Sequence, residues 1–147
     1  MSMTPIDILK KEHEDIEREL FELETISESE IINYPNLVHV FKKLCEIWNE
    51  HEKKEEKIFP IMEKERIIIP VKKMLCEHKE LKFHKKAIIR ALGSGSEIVL
   101  KKVLNNNGKI ITEKLRKHID DENEVLYTIA MEEFTPKELA ELWKAVK

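Results

Sequence analysis

The sequence predicts an all-α fold, namely an up-down-up-down four-helix bundle with a short extra C-terminal helix. Glycine and proline are scarce, 3 and 5 among 147 residues, and this scarcity favours long helices over sheets. Apolar residues recur at spacings of three and four along four long segments, as they do on buried helix faces. The connections between these segments are short, which places consecutive helices side by side. We therefore expect one domain over residues 1–147, with the bundle at about 4–133 and the last helix at about 135–146.

The first helix begins at Thr4-Pro5-Ile6-Asp7, which combines a hydroxyl cap, a proline in the first turn and a carboxylate three residues after the cap. Its apolar pattern fades near residues 27–29. The residues expected to face the core are Ile6, Leu9, His13, Ile16, Leu20 and Leu23.

The second helix is expected to begin near Pro35, and Pro60 should kink or loosen its last turns because proline lacks a backbone N–H. Its inward face reads Leu37, Phe41, Leu44, Trp48, His51, Glu55, Ile58 and Met62. The third helix follows residues 67–70 and ends at residues 93–96, where Ser96 could cap the next helix. Its inward face reads Val71, Met74, His78, Leu81, Lys85, Ile88 and Leu92.

The register of the fourth helix depends on the Asn-Asn-Asn-Gly segment at residues 105–108. The inward face of this helix reads Ile111, Leu115, His118, Glu122, Val125 and Ile129. The end of the third helix and the start of the fourth lie at the same end of the bundle. Counted in residues from these two points, His118 lies further from that end than His78 does. The two heights match if the helix restarts after residues 105–108, the arrangement that we favour, or if residues 96–107 overhang the bundle.

A short last helix begins at a second capping box, in which Thr135 precedes Glu138 by three residues. Its apolar face consists of Leu139, Leu142, Trp143 and Val146. This face must dock either on the bundle or on a second subunit in a homodimer, and the sequence leaves both open.

Polar residues on the four inward faces predict a metal site. Each face carries one histidine, and two of these histidines have a glutamate four residues later, a spacing that places both side chains on one side of a helix. Buried charges cost several kcal/mol unless they are paired, so a purely structural role is disfavoured. The residues expected to bind metal are His13, His51, Glu55, His78, His118 and Glu122. Imidazole and carboxylate ligands suit iron, and two glutamates can bridge a pair of iron ions.

Charge and hydropathy disfavour other classes of partner. The net charge of −3 comes with no basic cluster and with few aromatic residues, which disfavours nucleic acid. No apolar run approaches the ~20 residues of a membrane span. The N-terminal residues lack a hydrophobic signal segment. We therefore expect a cytoplasmic protein.

The chain resembles the hemerythrin-like (HHE cation-binding) domains. The stretch His51-Glu52-Lys53-Lys54-Glu55-Glu56-Lys57-Ile58-Phe59-Pro60 carries their signature, and residues 118–127 repeat it in part. The resemblance covers about residues 4–133. It implies a non-haem di-iron centre with an oxo or hydroxo bridge. In that centre His13 and His51 would bind one iron, His78 and His118 the other, and the two glutamates would bridge them.

Two departures separate the chain from the oxygen-carrying members. Lys82 stands where those proteins have a further histidine, and Asn123 stands where they have a bridging aspartate, with Glu122 one residue earlier. The set of four histidines and two glutamates is more similar to di-iron proteins that repair iron–sulfur clusters and to iron-sensing hemerythrin domains. The sequence begins directly with the first helix, whereas repair proteins of this kind usually carry a cysteine-bearing N-terminal segment, and this disfavours a repair role.

The expected function is binding of O2, NO or peroxide at the di-iron centre, for sensing, scavenging or iron handling. One alternative is a di-iron redox enzyme or an iron–sulfur-cluster repair protein, and a redox enzyme would need an electron donor as a further partner. Another is a structural bundle held together by a different metal such as zinc. No catalytic residue beyond the metal ligands is assigned, and whether the protein is an enzyme stays open.

Overall fold

The computed structural model describes residues 3–64 and 71–146, the side chains of residues 63, 64, 145 and 146 excepted. The first three bundle helices are α1 (Pro5–Ser27), α2 (Tyr34–Lys64) and α3 (Val71–Gly93). The fourth bundle helix comprises α4 (Glu97–Val103), α5 (Lys109–Asp121) and α6 (Tyr127–Glu133), joined by π-helical segments at Leu104–Gly108 and Glu122–Leu126. The short α7 (Pro136–Glu141) and α8 (Trp143–Val146) follow. Contacts link α1 to α2, α2 to α3, α3 to α5 and α5 to α1. This closed ring confirms the all-α bundle.

Local capping explains where the helices begin. The Thr4 hydroxyl accepts a hydrogen bond from the Asp7 backbone N–H, and the Asp7 carboxylate accepts one from Thr4 in return. At the start of α2, the Asn33 side chain accepts from the Asn36 backbone N–H at 3.1 Å. The second helix continues through Pro60 to Lys64. Residues 67–70, after which we expected the third helix, lie outside the described residues, and α3 begins at Val71.

The expected break at residues 105–108 is wrong, because the fourth bundle helix passes through this segment as a π-helix. Gly95 makes the preceding turn with φ of 69°, and the Ser96 hydroxyl then caps α4 as predicted. Leu100 and Leu104 are buried in the core. This stretch therefore packs against the bundle, and it neither restarts after Gly108 nor overhangs freely.

The second π-segment changes the inward face after Glu122. The Tyr127 backbone N–H donates to the Glu122 carbonyl, five residues earlier, so the helix gains one residue in this turn. Val125 is consequently 43% exposed and Ile129 is half-buried, which corrects their predicted inward positions. Leu126 and Tyr127 are buried in their place.

A polar layer divides the core into two apolar halves. One half lies toward the α1–α2 connection and includes Leu20, Leu44, Ile88 and Leu115. The other half includes Leu9 together with the buried residues of α6 and α7. The C-terminal helices dock on this second half, where Leu139 and Leu142 are buried and Trp143 is half-buried. The bundle itself therefore covers Leu139 and Leu142 of the apolar face that the sequence left unassigned, and the side chain of Val146 lies outside the described residues. No helix among the described residues is long and apolar enough to cross a bilayer.

Candidate metal centre

All six predicted ligands meet in the polar layer. Each is at most 3% exposed, and together they form two overlapping groups whose ligand atoms lie within 4.8 Å of one another. The first group contains His13 and His51, the second contains His78 and His118, and both contain Glu55 and Glu122. The shared carboxylates place the two groups next to each other. This arrangement could hold two cations.

Each carboxylate faces histidines from both groups. Glu55 Oε1 lies 3.2 Å from His51 Nε2 and 3.3 Å from His78 Nε2. Glu122 Oε1 lies 3.0 Å from His13 Nε2, and its Oε2 lies 3.3 Å from His118 Nε2. With bonds of about 2.0–2.2 Å to a common ion, neighbouring ligand atoms would lie roughly 3.0–3.4 Å apart. The observed separations match this spacing.

The donor atoms themselves test whether a cation fits. Hydrogen bonds satisfy the large majority of buried polar atoms in proteins. Here, five buried atoms that face the centre have no hydrogen-bond partner within the described part of the chain. They come from five of the six residues: His51 Nε2, Glu55 Oε1, His78 Nε2, His118 Nε2 and Glu122 Oε2. Cations coordinated by these atoms would satisfy them.

The charges of the metal-free centre are set by burial and by the two carboxylates. Burial lowers the pKa of His13 to about 4. Burial also opposes a proton on His51 and His78, but the facing glutamates outweigh it and raise their pKa values to about 10 and about 9. Burial and the nearby Glu55 charge raise the pKa of Glu122. Burial alone would raise the pKa of Glu55 too, but His51 outweighs it and holds that pKa well below its usual range. Protons therefore occupy places that a cation would take.

Outer partners orient three of the four imidazoles through Nδ1. Glu12 lies 3.1 Å from His51 Nδ1 and Glu77 lies 3.3 Å from His118 Nδ1. These carboxylates accept the Nδ1–H bonds and leave Nε2 free for a metal. Glu12 is itself paired with Lys54. Each glutamate immediately precedes the histidine of its own helix, but it accepts the Nδ1–H bond from the histidine of the next helix. The repeated Glu-His dipeptide was the available sequence signal.

Two further residues at the centre were missed by the sequence analysis. Asn123 Oδ1 lies 2.8 Å from His13 Nδ1. The Tyr127 hydroxyl donates to Glu55 Oε2 at 2.5 Å and lies 3.5 Å from His13 Nε2. Tyr127 follows Glu122 by five residues, about 140° around a regular α-helix. Nothing in the apolar pattern indicates the π-turn that brings it inward.

The two other histidines of the chain and Lys82 lie outside the two groups. His39 and Lys82 are exposed, and the His84 side chain contacts Asn107 at 3.1 Å. Beside the second group, Glu52 and Glu56 lie near His78, and the three residues form a third group of possible metal ligands.

A comparison with protein-family models matches most of the chain. The family model described as the hemerythrin HHE cation binding domain matches residues 4–130. Searches of the curated proteins and of the solved structures returned no significant match. The matched range contains all six residues of the centre.

Proposed function

The chain belongs to the hemerythrin HHE cation-binding domain family, and from this premise we propose that it binds two iron ions and engages O2, NO or peroxide at them. His13 and His51 would hold one iron, and His78 and His118 the other. Glu55 and Glu122 would bridge the two. The observation that carries this proposal is that both buried glutamates belong to both groups of ligand atoms.

The donor set favours iron over the zinc alternative. It consists of imidazoles and carboxylates, whereas structural zinc sites in proteins are commonly built with cysteine thiolates. Two histidines and two carboxylate oxygens per metal leave coordination positions free for a small ligand. The bound irons would supply Lewis acidity and redox capacity at these positions.

The chain's own residues would prepare this chemistry. Glu12, Glu77 and Asn123 hold three imidazole rings through Nδ1, so that Nε2 is presented inward. Apolar layers lie on both sides of the polar layer and limit the access of water. A small diatomic molecule fits such an enclosed site better than a large substrate does.

The proposal is tested on protein reconstituted anaerobically with Fe²⁺. We expect two irons per chain and an optical spectrum that changes when oxygen is admitted. Reversal on removing oxygen would favour sensing or carriage, whereas a permanent oxidised spectrum would favour redox chemistry or iron handling. A spectrum that ignores O2, NO and peroxide, or a chain that takes up zinc and excludes iron, would contradict the proposal. Glu19→Gln is a matched control for substitutions of Glu55 and Glu122. Glu19 is also buried, but it faces Lys43 at 3.0 Å, outside both groups.

A further inference from the structure

The centre has an approximate internal twofold relation. Helices α1 and α2 contribute a Glu-His dipeptide at residues 12–13 and a His-x-x-x-Glu motif at residues 51–55. Helix α3 and the fourth bundle helix contribute the same two motifs at residues 77–78 and 118–122. In each half, the dipeptide glutamate contacts Nδ1 of the motif histidine on the neighbouring helix. Inequivalence of the two metal positions must therefore come from residues that break this relation.

The aromatic residues that follow the two bridging glutamates differ between the halves and break the twofold relation. In the first half, the Tyr127 ring stacks on His13 with ring centres 5.3 Å apart and planes at 17°. In the second half, Phe59 lies beside His78 with ring centres 6.3 Å apart and planes at 32°. Both aromatic side chains are fully buried. One half of the centre thus has a hydroxyl where the other has only a hydrocarbon ring.

The outer partners of the dipeptide histidines also differ. His13 Nδ1 lies 2.8 Å from the neutral amide oxygen of Asn123. Among the residues that the structure describes, His78 Nδ1 has no hydrogen-bond partner, and Glu52 and Glu56 form a further acidic group with His78 besides the two bridging glutamates. At the first position the dipeptide histidine therefore donates to a neutral amide oxygen, whereas at the second position the dipeptide histidine lies beside two further carboxylates.

The hydroxyl of Tyr127 touches two ligand residues at once. It donates to Glu55 Oε2 at 2.5 Å and lies 3.5 Å from His13 Nε2, so it fixes the carboxylate oxygen on the His13 side. The π-turn at residues 122–126 is what delivers it there, and such turns occur frequently at functional sites.

We propose that Tyr127 is a positioning residue that makes the two metal positions inequivalent, by holding the Glu55 carboxylate for the His13–His51 position. The inference rests on the proposed pair of metals, but it does not require that they be iron or that they bind oxygen. Tyr127 acts through Glu55 and is not itself a ligand.

The test is a titration of the full chain with Co²⁺, whose visible bands report each binding step. Tyr127→Phe removes the hydroxyl and retains the ring, and Tyr34→Phe is the matched control, since the chain has 2 tyrosines. We expect Tyr127→Phe to weaken one of two steps by roughly tenfold to a hundredfold, as loss of an outer hydrogen bond typically does. The Tyr34→Phe titration should match the parent.

Combining Tyr127→Phe with either of two ligand substitutions identifies which metal position the affected binding step belongs to. In His78→Ala, which retains the His13–His51 position, the Tyr127→Phe effect should persist. In His13→Ala, which retains the other position, the effect should vanish. An equal effect in both backgrounds, or in neither, would overturn the proposal. A chain that binds fewer than two Co²⁺ ions would instead contradict the proposed metal pair.

A second measurement separates positioning from ligation and does not depend on the folding of the phenylalanine variant. In Tyr34→Phe protein, fluorinated tyrosine can be incorporated at position 127 alone, which changes the donor strength of the hydroxyl without removing the ring. A shift confined to one binding step supports the proposal. An intense visible band in the Fe³⁺ protein that moves with fluorination would show a phenolate ligand, and this would overturn the positioning role.

Discussion

Glu55 and Glu122 occupy positions that a helix bundle ordinarily fills with leucine. Each is completely buried, and each faces imidazole nitrogens from helices on both sides. Without a cation, the centre relies on protons on His51 and His78 to offset the Glu55 charge. Two cations shared by the glutamates would remove this dependence on protons.

Truncating either glutamate should therefore abolish paired metal binding. We expect Glu55→Ala and Glu122→Ala to retain at most one metal per chain, since each position loses a ligand and the bridge between them. Metal content after gel filtration measures this directly. Glu19→Ala, a buried glutamate outside the centre, should keep two metals per chain. Two metals per chain in Glu55→Ala or in Glu122→Ala would contradict the bridging assignment.

The outer carboxylates should matter almost as much as the ligands. Glu12→Gln removes the charged acceptor at His51 Nδ1, so the imidazole loses the partner that fixes its orientation. We expect roughly tenfold to a hundredfold weaker metal binding. Glu14→Gln, on the exposed side of His13, is the control. Equal affinities for the two variants in the same titration would rule out the orienting role.

Metal binding should release protons. Burial and the nearby Glu55 charge raise the pKa of Glu122. His51 and His78 have pKa values raised to about 10 and about 9, so both are protonated in the metal-free protein at pH 7. Ligands must be deprotonated, and loading should release about two protons per chain from these histidines. Because these pKa values lie above the working pH, affinity should rise with pH and fall on acidification. Calorimetry with Zn²⁺ in buffers of different ionisation enthalpy measures the release, and no buffer dependence would contradict it.

At the scale of single helices, spacing predicted most of what the structure contains. The inward faces of α1 and α2 follow the three-and-four pattern throughout, and this pattern placed His13, His51 and Glu55 correctly in the core. It failed after Glu122, because a π-turn depends on which backbone carbonyl accepts a bond, and side-chain hydropathy does not encode that choice. Tyr127 was missed for this reason. Glu12 and Glu77 were missed because they act across helices.

Threonine hydroxyls support both π-segments. The Thr112 hydroxyl donates to the Gly108 carbonyl at 2.9 Å, and the Thr128 hydroxyl donates to the Asn123 carbonyl at 3.0 Å. These bonds give additional partners to backbone carbonyls within the widened turns. The fourth bundle helix thereby remains continuous where its sequence suggested a break.

Glycine substitutions distinguish the π-segment from a true turn. Gly108 has φ of −63°, and an added Cβ would meet Leu104 Cδ2 at 3.6 Å, an ordinary contact. Gly108→Ala should therefore stabilise the protein by about 0.4–1 kcal/mol. Gly95→Ala should destabilise it by about 1 kcal/mol or more, because φ is +69° there. Urea unfolding of both variants tests the pair, and destabilisation by Gly108→Ala would indicate that residues 105–108 form a turn.

At the scale of the whole molecule, the polar layer is the level at which all four bundle helices meet. It separates the two apolar halves of the core, and α7 and α8 close the second half by burying Leu139 and Leu142. Ligands for the centre come from every bundle helix. Metal binding should therefore stabilise the bundle as one unit instead of stabilising a single helix pair.

Metal removal should consequently lower the unfolding temperature of the entire bundle. A ligand at a free concentration 100 times its Kd adds about 2.7 kcal/mol of stability to the folded state. For a chain of this size, that corresponds to a rise of roughly 5–11 °C for each bound metal. Calorimetry with and without Zn²⁺, a redox-inert probe, should show one transition that moves as a whole. Glu19→Gln should keep the full shift and Glu55→Gln should lose most of it. A shift that affects only part of the unfolding heat would mean that the metal stabilises one half of the core, and equal shifts in both variants would place the metal elsewhere.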